Sequence, residues 1–243
     1  MACSAGPNVV KDGIALSVDA ANTKSYSGSG TDWKDLSGQG NNFSLVNSPT
    51  FSSDNRGQII LDGTNQYAVS ANNISLYQFG TNDYSYGVWV KVNSSAQNES
   101  FLSSSTEQGG VTENSWQFDF EGTNQKIRHV FRHTSGQVIS YTDTTIGDKF
   151  KYLVVVNDRS EDELKIYVDG ILIDTESNTN FRTTDVGNYS SSSGSNGVFR
   201  VGSNRGQDAF IDGSIAQVHV YNKALTAAEV LQNYNAHKGR FEL

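Results

Sequence analysis

Apolar and polar residues alternate along most of this chain at the two-residue period of a β-strand. One side of the segment 85–92 carries four apolar residues, Tyr86, Val88, Val90 and Val92. The segment 116–121 alternates aromatic with polar residues, and 127–132 follows it as a partner strand. Turns rich in glycine, asparagine and serine separate such segments, so the pattern predicts about twelve to fourteen strands, with 85–92 central in its sheet.

The last strand is predicted over residues 214–221. β-Branched and apolar residues alternate there with longer polar ones, which directs Ala216, Val218 and Val220 toward a core. Gln217 and His219 then face away from that core.

A helix follows this strand. Thr226 precedes Glu229 by three residues, which is the spacing of a capping box. In that motif the threonine oxygen and the glutamate carboxylate each accept a hydrogen bond from a backbone N–H that the helix leaves unpaired. The pattern predicts one short C-terminal helix that runs to about His237.

Two Asp–Gly steps mark tight turns. Asp62–Gly63 lies between two apolar segments, and a two-residue turn of type I′ at that step predicts a hairpin. Asp169–Gly170 is a turn of a meander predicted over 150–174. The region 175–197 has almost no apolar residues and is predicted to be a long exposed loop.

Length and strand spacing indicate a single structural domain. Residues 1–12 are predicted to form an N-terminal arm, and residues 13–243 one all-β domain. Antiparallel hairpin signals throughout favour two packed antiparallel sheets in a jelly-roll sandwich, with the short helix at its C-terminal end. Cys3 is the only cysteine, so no intrachain disulfide is possible.

The charge distribution excludes two classes of partner. The net charge is −8 and no run of lysine or arginine is present, so we expect no nucleic-acid binding and no attachment to anionic membrane. No stretch approaches the roughly eighteen consecutive apolar residues of a membrane helix, which argues against membrane insertion. The N-terminus lacks the pattern of a secretory signal, and synthesis in a cytoplasm is the expectation.

Several motifs resemble the laminin-G-like domains of the concanavalin A-like lectin/glucanase superfamily. They are Asp19–Asn22, the turn-rich segment 25–38, the strand and Asp–Gly segment 58–69, Tyr221–Thr226 and the tail Gly239–Phe241. Together they are similar to laminin-G-like structural proteins of marine tailed bacteriophages such as cyanophages.

The resemblance implies a non-enzymatic virion protein, such as a capsid decoration protein, a head fibre or a tail-associated adhesin. Such a protein would be made in the host cytoplasm and would be present on the particle as a homo-oligomer or in many copies. Its partners would be other capsid or tail proteins, together with cell-surface glycans. Two alternatives stay open, namely a carbohydrate-binding module or lectin, and a glycoside hydrolase.

A glycan-binding site combines exposed aromatic rings, which stack on sugar faces, with polar groups that bind the hydroxyls. The candidate ligand-binding residues are Trp116, Asp119, His129, Arg132, Tyr141 and Tyr189. The alternative for the aromatic residues is a position in the core or an anchoring role in a loop. Periodicity alone does not decide which face of the sandwich each residue occupies.

The strand 116–121 is where the carboxylates of a glycoside hydrolase would lie. The resemblance implies a glutamate, aspartate, glutamate set on one strand face, where one carboxylate attacks the sugar and another donates a proton. Asp119 and Glu121 match two of these positions, but Gln117 occupies the first and can serve neither role. The same alternation arises on any half-exposed strand, so we assign no catalytic residue.

No cofactor is required by the sequence, although calcium is a candidate. The resemblance implies that a loop rim can hold this ion through side-chain oxygens, here those of Asp19, Asn22, Asp35 and Asp62. The alternative is that these side chains stabilise turns by binding their own backbone.

Overall fold

The computed structural model describes residues 7–70, 78–93, 97–106, 115–133, 135–144, 146–187, 197–204 and 208–243. Two eight-stranded antiparallel sheets, A and B, face each other. Sheet A contains β1 (Ile14–Asp19), β4 (Thr50–Ser52), β5 (Gln58–Asp62), β7 (Tyr84–Val92), β12 (Lys151–Asp158), β13 (Glu163–Val168), β14 (Ile171–Ser177) and β16 (Asp212–Tyr221). Sheet B contains β2 (Asp32–Trp33), β3 (Phe43–Val46), β6 (Tyr67–Ser70), β8 (Glu99–Thr106), β9 (Trp116–Glu121), β10 (Lys126–His133), β11 (Gly136–Thr142) and β15 (Gly197–Val201).

The predicted jelly-roll sandwich is therefore confirmed. The strand order is β14–β13–β12–β7–β16–β5–β4 in sheet A, where β1 also pairs with β16, and β11–β10–β9–β8–β15–β6–β3–β2 in sheet B. The described residues contain sixteen strands, more than the predicted number. Strand β2, for example, has only two residues and is too short to show periodicity. No helix in these ranges is long and apolar enough to span a membrane.

The main core lies between the two sheets. Strand β7 pairs with β12 on one side and β16 on the other, so its predicted central position is confirmed. Its inward-facing tyrosine and valines meet the aromatic residues of β9, and the ring of Tyr86 stacks on Trp116 with centroids 4.1 Å apart. Burial of each large apolar side chain contributes about 1.5–3 kcal/mol to the free energy of folding.

Of the predicted loop 175–197, residues 188–196 lie outside the described residues, and 175–187 are only partly a loop. Strand β14 extends to Ser177, and a short helix, α1 (Asn180–Thr183), follows it. Phe181 is fully buried and packs edge-on against Phe131 at 5.1 Å. Val186 is also fully buried and forms a bridge with Gly80, so two buried side chains anchor this segment although they add little to the mean hydropathy of the region.

The two Asp–Gly steps have different roles. Asp169 and Gly170 both have positive φ and join β13 to β14 as a two-residue hairpin, as the meander predicts. The hairpin prediction at Asp62–Gly63 is wrong, because β5 belongs to sheet A and β6 to sheet B. The Asp62 carboxylate instead accepts a hydrogen bond from the N–H of Thr64 at 2.9 Å, which shapes a corner between the sheets.

Strand β16 contains a β-bulge at Ala216. Ile215 pairs with Val90 and Gln217 pairs with Trp89, so Ala216 is the extra residue. Val218 faces the core between the sheets as predicted, whereas Ala216 belongs to a second apolar cluster on the other face of sheet A. The bulge therefore shifts the alternation that the sequence predicts for this strand.

The outer face of sheet A is covered by the C-terminal helix, α2 (Ala227–His237), and by the chain that follows it. The capping box is confirmed, with Thr226 Oγ1 accepting from the N–H of Glu229 at 3.3 Å and the Glu229 carboxylate accepting from the N–H of Thr226 at 2.9 Å. Trp89, on the outer side of β7, stacks on Phe241 at 4.3 Å. Val230 lies in the same cluster.

The described part of the N-terminal arm packs on its own chain. The N–H of Val10 donates to Asn233 Oδ1 at 2.8 Å, and Tyr221 Oη donates to the carbonyl of Val10 at 3.1 Å. Asn233 Nδ2 in turn donates to Tyr221 Oη at 3.1 Å. The arm, the last strand and α2 are thus joined by one buried hydrogen-bond network.

Candidate functional site

The outer face of sheet B carries the polar side chains of the strand that sequence analysis singled out. The aromatic residues of β9 point into the core, so Gln117, Asp119 and Glu121 share the opposite face. Arg128 lies directly across from Asp119 on β10. Its Nε and Nη2 donate to the two oxygens of Asp119 at 2.9 and 2.7 Å, and its Nη1 donates to Glu121 Oε1 at 2.8 Å.

Arg128 is paired with both carboxylates. Asp119 is 0% exposed, and burial raises the pKa of its carboxyl, while the hydrogen bonds and charge of Arg128 oppose that shift. The bond to Asp119 raises the pKa of Arg128. Gln117 Nε2 also donates to Asp119. A glycosidase needs one carboxylate to attack and one acid to donate a proton. Both oxygens of Asp119 are bonded to Arg128, and Glu121 is bonded to Arg128 through Oε1.

An exposed aromatic ring borders this cluster. Tyr141 on β11 lies across from Arg128, is 38% exposed and places its Oη 3.4 Å from Glu121 Oε1. Lys126 on β10 pairs with Asp143 at 2.5 Å. A ring flanked by a carboxylate, a guanidinium and an ammonium group has the components of a sugar-stacking site.

Two other predicted ligand-binding residues are core residues. Trp116 and His129 are buried between the sheets, and the His129 ring lies 6.1 Å from that of Tyr86. Burial lowers the pKa of His129 to about 3, so this imidazole is neutral at pH 7. Neither side chain reaches a ligand at the surface, so both have the alternative role, a position in the core.

The other two predicted ligand-binding residues have different positions. Arg132 lies on β10 four residues beyond Arg128, so both side chains point to the outer face of sheet B. Tyr189 lies outside the described residues.

The predicted calcium ligands separate into three environments. Asp19 accepts from Arg240 Nη1 at 2.7 Å and from Gln217 Nε2 at 2.6 Å, while Asn22 binds the N–H of Lys24 at 3.0 Å. Asp35 accepts from backbone N–H groups of its own loop and of β1. Among the residues that the structure describes, no three His, Cys, Asp or Glu side chains are placed to hold a metal ion. These contacts match the alternative role in turns, and calcium binding stays a prediction.

Asp62 lines a small cavity with two acids that the sequence did not suggest. The cavity, of about 130 Å³, is lined by Asp62, Glu99 and Asp212. Glu99 Oε2 accepts from the N–H of Asp212 at 3.2 Å. Burial, together with the charge of Asp212, raises the pKa of Glu99 to about 8.

A second polar region was not predicted as a site. A cleft of about 440 Å³ lies between β1, β16 and the end of α2, and Gln217 and His219 line it. Both side chains are buried, although the alternation of β16 predicted only that they leave the main core. No local signal marked this region, because polar residues are expected on the outward face of a strand whether or not a helix covers it.

Two antiparallel sheets face each other, with a polar cluster on the outer face of sheet B and an apolar cluster under α2 on the outer face of sheet A. The chain belongs to the Concanavalin A-like lectin/glucanases superfamily, whose family model matches residues 62–231, more than half of the sequence. A comparison with curated protein sequences gives no significant match.

Solved structures share the fold at low sequence identity. The receptor-binding domain of botulinum neurotoxin type G is 14% identical with a TM-score of 0.64, covering 92% of this chain and 51% of that chain. The binding domain of botulinum neurotoxin DC, solved with rat synaptotagmin II, is 12% identical with a TM-score of 0.68, covering 93% and 52%. The chain thus spans about half the length of these neurotoxin domains.

A carbohydrate-binding module shows the same sandwich. The CBM40 of Ruminococcus gnavus IT-sialidase, solved with α2,3-sialyllactose, is 18% identical with a TM-score of 0.52, covering 63% of this chain and 83% of that module. At this identity the likeness establishes the fold.

Proposed function

We propose that this protein is a non-catalytic glycan-binding domain whose site is the outer face of sheet B around Tyr141. The observation that carries the proposal is the bidentate bond of Arg128 to Asp119, because it occupies both oxygens of one of the two carboxylates that hydrolysis needs while Tyr141 stays exposed. Structural neighbours that are themselves binding domains support a binding role.

The chemistry of the site suits a sugar. The face of the Tyr141 ring is available for the apolar side of a pyranose, and the partly exposed Glu121 and Lys126 are available for its hydroxyls. Arg128 holds Glu121 at 2.8 Å, so this carboxylate is already oriented before a ligand arrives. Such preorganisation reduces the entropy lost on binding.

A glycan array followed by titration tests this proposal. We expect saturable binding that Tyr141→Ala weakens about ten-fold or more, equivalent to ~1.4 kcal/mol. Leu172→Ala is the control, since Leu172 is similarly exposed but lies on sheet A. Undiminished binding by Tyr141→Ala contradicts the proposed site. Release of reducing sugar from laminarin or agarose, abolished in Glu121→Gln, contradicts the non-catalytic role.

A virion role is the second candidate function, and we propose attachment to another virion protein through the edge of sheet A. The motifs shared with laminin-G-like phage structural proteins support it, as does an exposed apolar surface. Ile171, Leu172 and Ile173 are 65%, 47% and 42% exposed on the edge strand β14, next to exposed Leu231 of α2. Unpaired edge strands accept extended segments of a partner, and contiguous exposed apolar residues mark contact sites.

Mass spectrometry of purified particles tests the virion role. We expect the wild-type chain in the particles, in many copies, and a large loss of occupancy for Leu172→Lys. Tyr141→Ala is the control and is expected to be incorporated normally. Absence of the wild-type chain from particles contradicts the virion role, and normal incorporation of Leu172→Lys contradicts attachment through β14.

A further inference from the structure

The cleft on sheet A has an apolar wall and a polar base. Val9, Ile14 and Leu36 line its sides, and Gln217 and His219 line its base. It adjoins a wider cleft of about 650 Å³, with which it shares Asp19, Asn22 and His237. Volumes of roughly 300–1,000 Å³ with mostly apolar walls and a few convergent polar groups are typical of small-ligand sites.

Two buried polar atoms in this cleft have no partner among the described residues. Gln217 is 1% exposed and His219 is 2% exposed, yet within the described ranges neither Gln217 Oε1 nor His219 Nδ1 makes a hydrogen bond. The orientation of the Gln217 amide is set by Asp19, whose Oδ2 accepts from Nε2 at 2.6 Å. The amide oxygen is therefore left as an acceptor without a donor. Buried polar atoms are normally paired, and these two unpaired atoms belong to residues that line a cleft, so a ligand in the cleft can supply their partners.

The base of the cleft is electrically neutral at pH 7. Burial lowers the pKa of His219 to about 3, and it also lowers the pKa of His237, whose ring lies 6.3 Å away. The Asp19 carboxylate is paired with Arg240 at 2.7 Å. A charged ligand therefore gains no strong ion pair from Gln217 or His219, whereas hydroxyl groups match the amide oxygen and the imidazole nitrogen. Lys11 also lines the cleft, and its ammonium group can donate a hydrogen bond to a hydroxyl oxygen.

We propose that this cleft binds a neutral polyhydroxylated ligand, a saccharide unit, through hydrogen bonds of its hydroxyl groups to Gln217 Oε1 and His219 Nδ1. The apolar wall at Leu36 and Ile14 takes the C–H face of the ring. The cleft lies on the outer side of sheet A, opposite the Tyr141 surface of sheet B, so it is a second site and stands independently of the first.

Nitrogen-detected NMR of the histidine imidazoles in the full chain tests the proposal. The probes are glucose, galactose and N-acetylglucosamine, each titrated to about 100 mM, a hundred times a millimolar Kd. We expect at least one sugar to shift the Nδ1 resonance of His219 in a saturable manner. The resonance of His129, buried between the sheets, is the internal control and is expected not to move. No shift of His219 with any of the three sugars overturns the proposal.

Variants separate the two sites. Gln217→Met and His219→Phe keep side-chain size and remove the unpaired atoms. Each is expected to lower, by ten-fold or more, the affinity for the sugar that shifts the His219 resonance. Tyr141→Ala is expected to leave that affinity unchanged, and loss of affinity only in Tyr141→Ala overturns the second site. If Gln217→Met melts at a much lower temperature than wild type, the test depends on the affinity of His219→Phe and on the shift of the His219 resonance in the wild-type protein.

Discussion

Arg128 and Asp119 form a bidentate ion pair across β9 and β10, with hydrogen bonds of 2.9 and 2.7 Å and with Asp119 wholly buried. The pair has a structural consequence that is separate from sugar binding. A buried carboxylate that loses its guanidinium is left as an uncompensated charge, which is more costly than the pair is favourable.

We predict that Arg128→Met lowers the free energy of unfolding by about 3–5 kcal/mol, measured by urea denaturation, because the Asp119 carboxylate loses its cation. The double variant Asp119→Asn with Arg128→Met is the control, and it is expected to recover most of the loss because no buried charge remains. Equal destabilisation of the single and double variants contradicts this account.

The hydrogen-bond network at Asn233 yields a second prediction. Asn233→Leu removes the acceptor of the Val10 N–H and the donor to Tyr221 Oη, both of them buried, so we expect the free energy of unfolding to fall by about 1–3 kcal/mol. Asn235→Leu, two residues away and partly exposed, is the matched control and is expected to change stability by about 0.5 kcal/mol or less. Hydrogen exchange at Val10 adds a local readout, because its protection is expected to be lost only in Asn233→Leu.

Glu99 is predicted to make stability depend on pH. Burial raises its pKa from 4.5 to about 8, so the folded protein holds a proton that the unfolded chain releases, and the stabilisation present at acid pH is lost as the pH rises toward 8. The buried histidines, whose ordinary pKa is 6.5, do not contribute above that value. Between pH 6.5 and about 8 we therefore expect the unfolding temperature to fall.

Glu99→Gln is the control for this prediction. The variant has no titrating group beside Asp212, so its unfolding temperature is expected to vary less with pH over the same interval. Calorimetry of both proteins across this range provides the measurement. A wild-type curve parallel to that of Glu99→Gln shows that Glu99 does not titrate as described.

The capping box yields a fourth prediction. Thr226→Ala removes the acceptor for the N–H of Glu229 and is expected to lower the free energy of unfolding by about 1 kcal/mol, measured by thermal or urea denaturation. Thr226→Ser keeps the oxygen and is expected to stay close to wild type. If Thr226→Ser and Thr226→Ala lower the free energy of unfolding equally, loss of the threonine methyl group explains the effect and loss of the cap does not.

Much of the fold was predictable because its signals are local. The alternation of β7 and of β9, the hairpin at Asp169–Gly170 and the capping box at Thr226 each depend on residues close together in the chain. Predictions from local signals were wrong where pairing with a distant segment determines the structure. Asp62–Gly63 turns between sheets because β6 pairs with β3 and β15, and no residue of the turn itself encodes that choice.

Residue order within a strand is enough to tell which side chains share a face, because the period of two is a property of the extended backbone. Which of the two faces is covered depends on how distant segments pack. The opposite sheet buries Trp116, α2 and the arm cover the outer face that Gln217 shares, and Arg128 closes over Asp119 while Tyr141 stays exposed. Coverage depends on contacts between segments far apart in the chain, and the functional surfaces of this protein are what that packing leaves open.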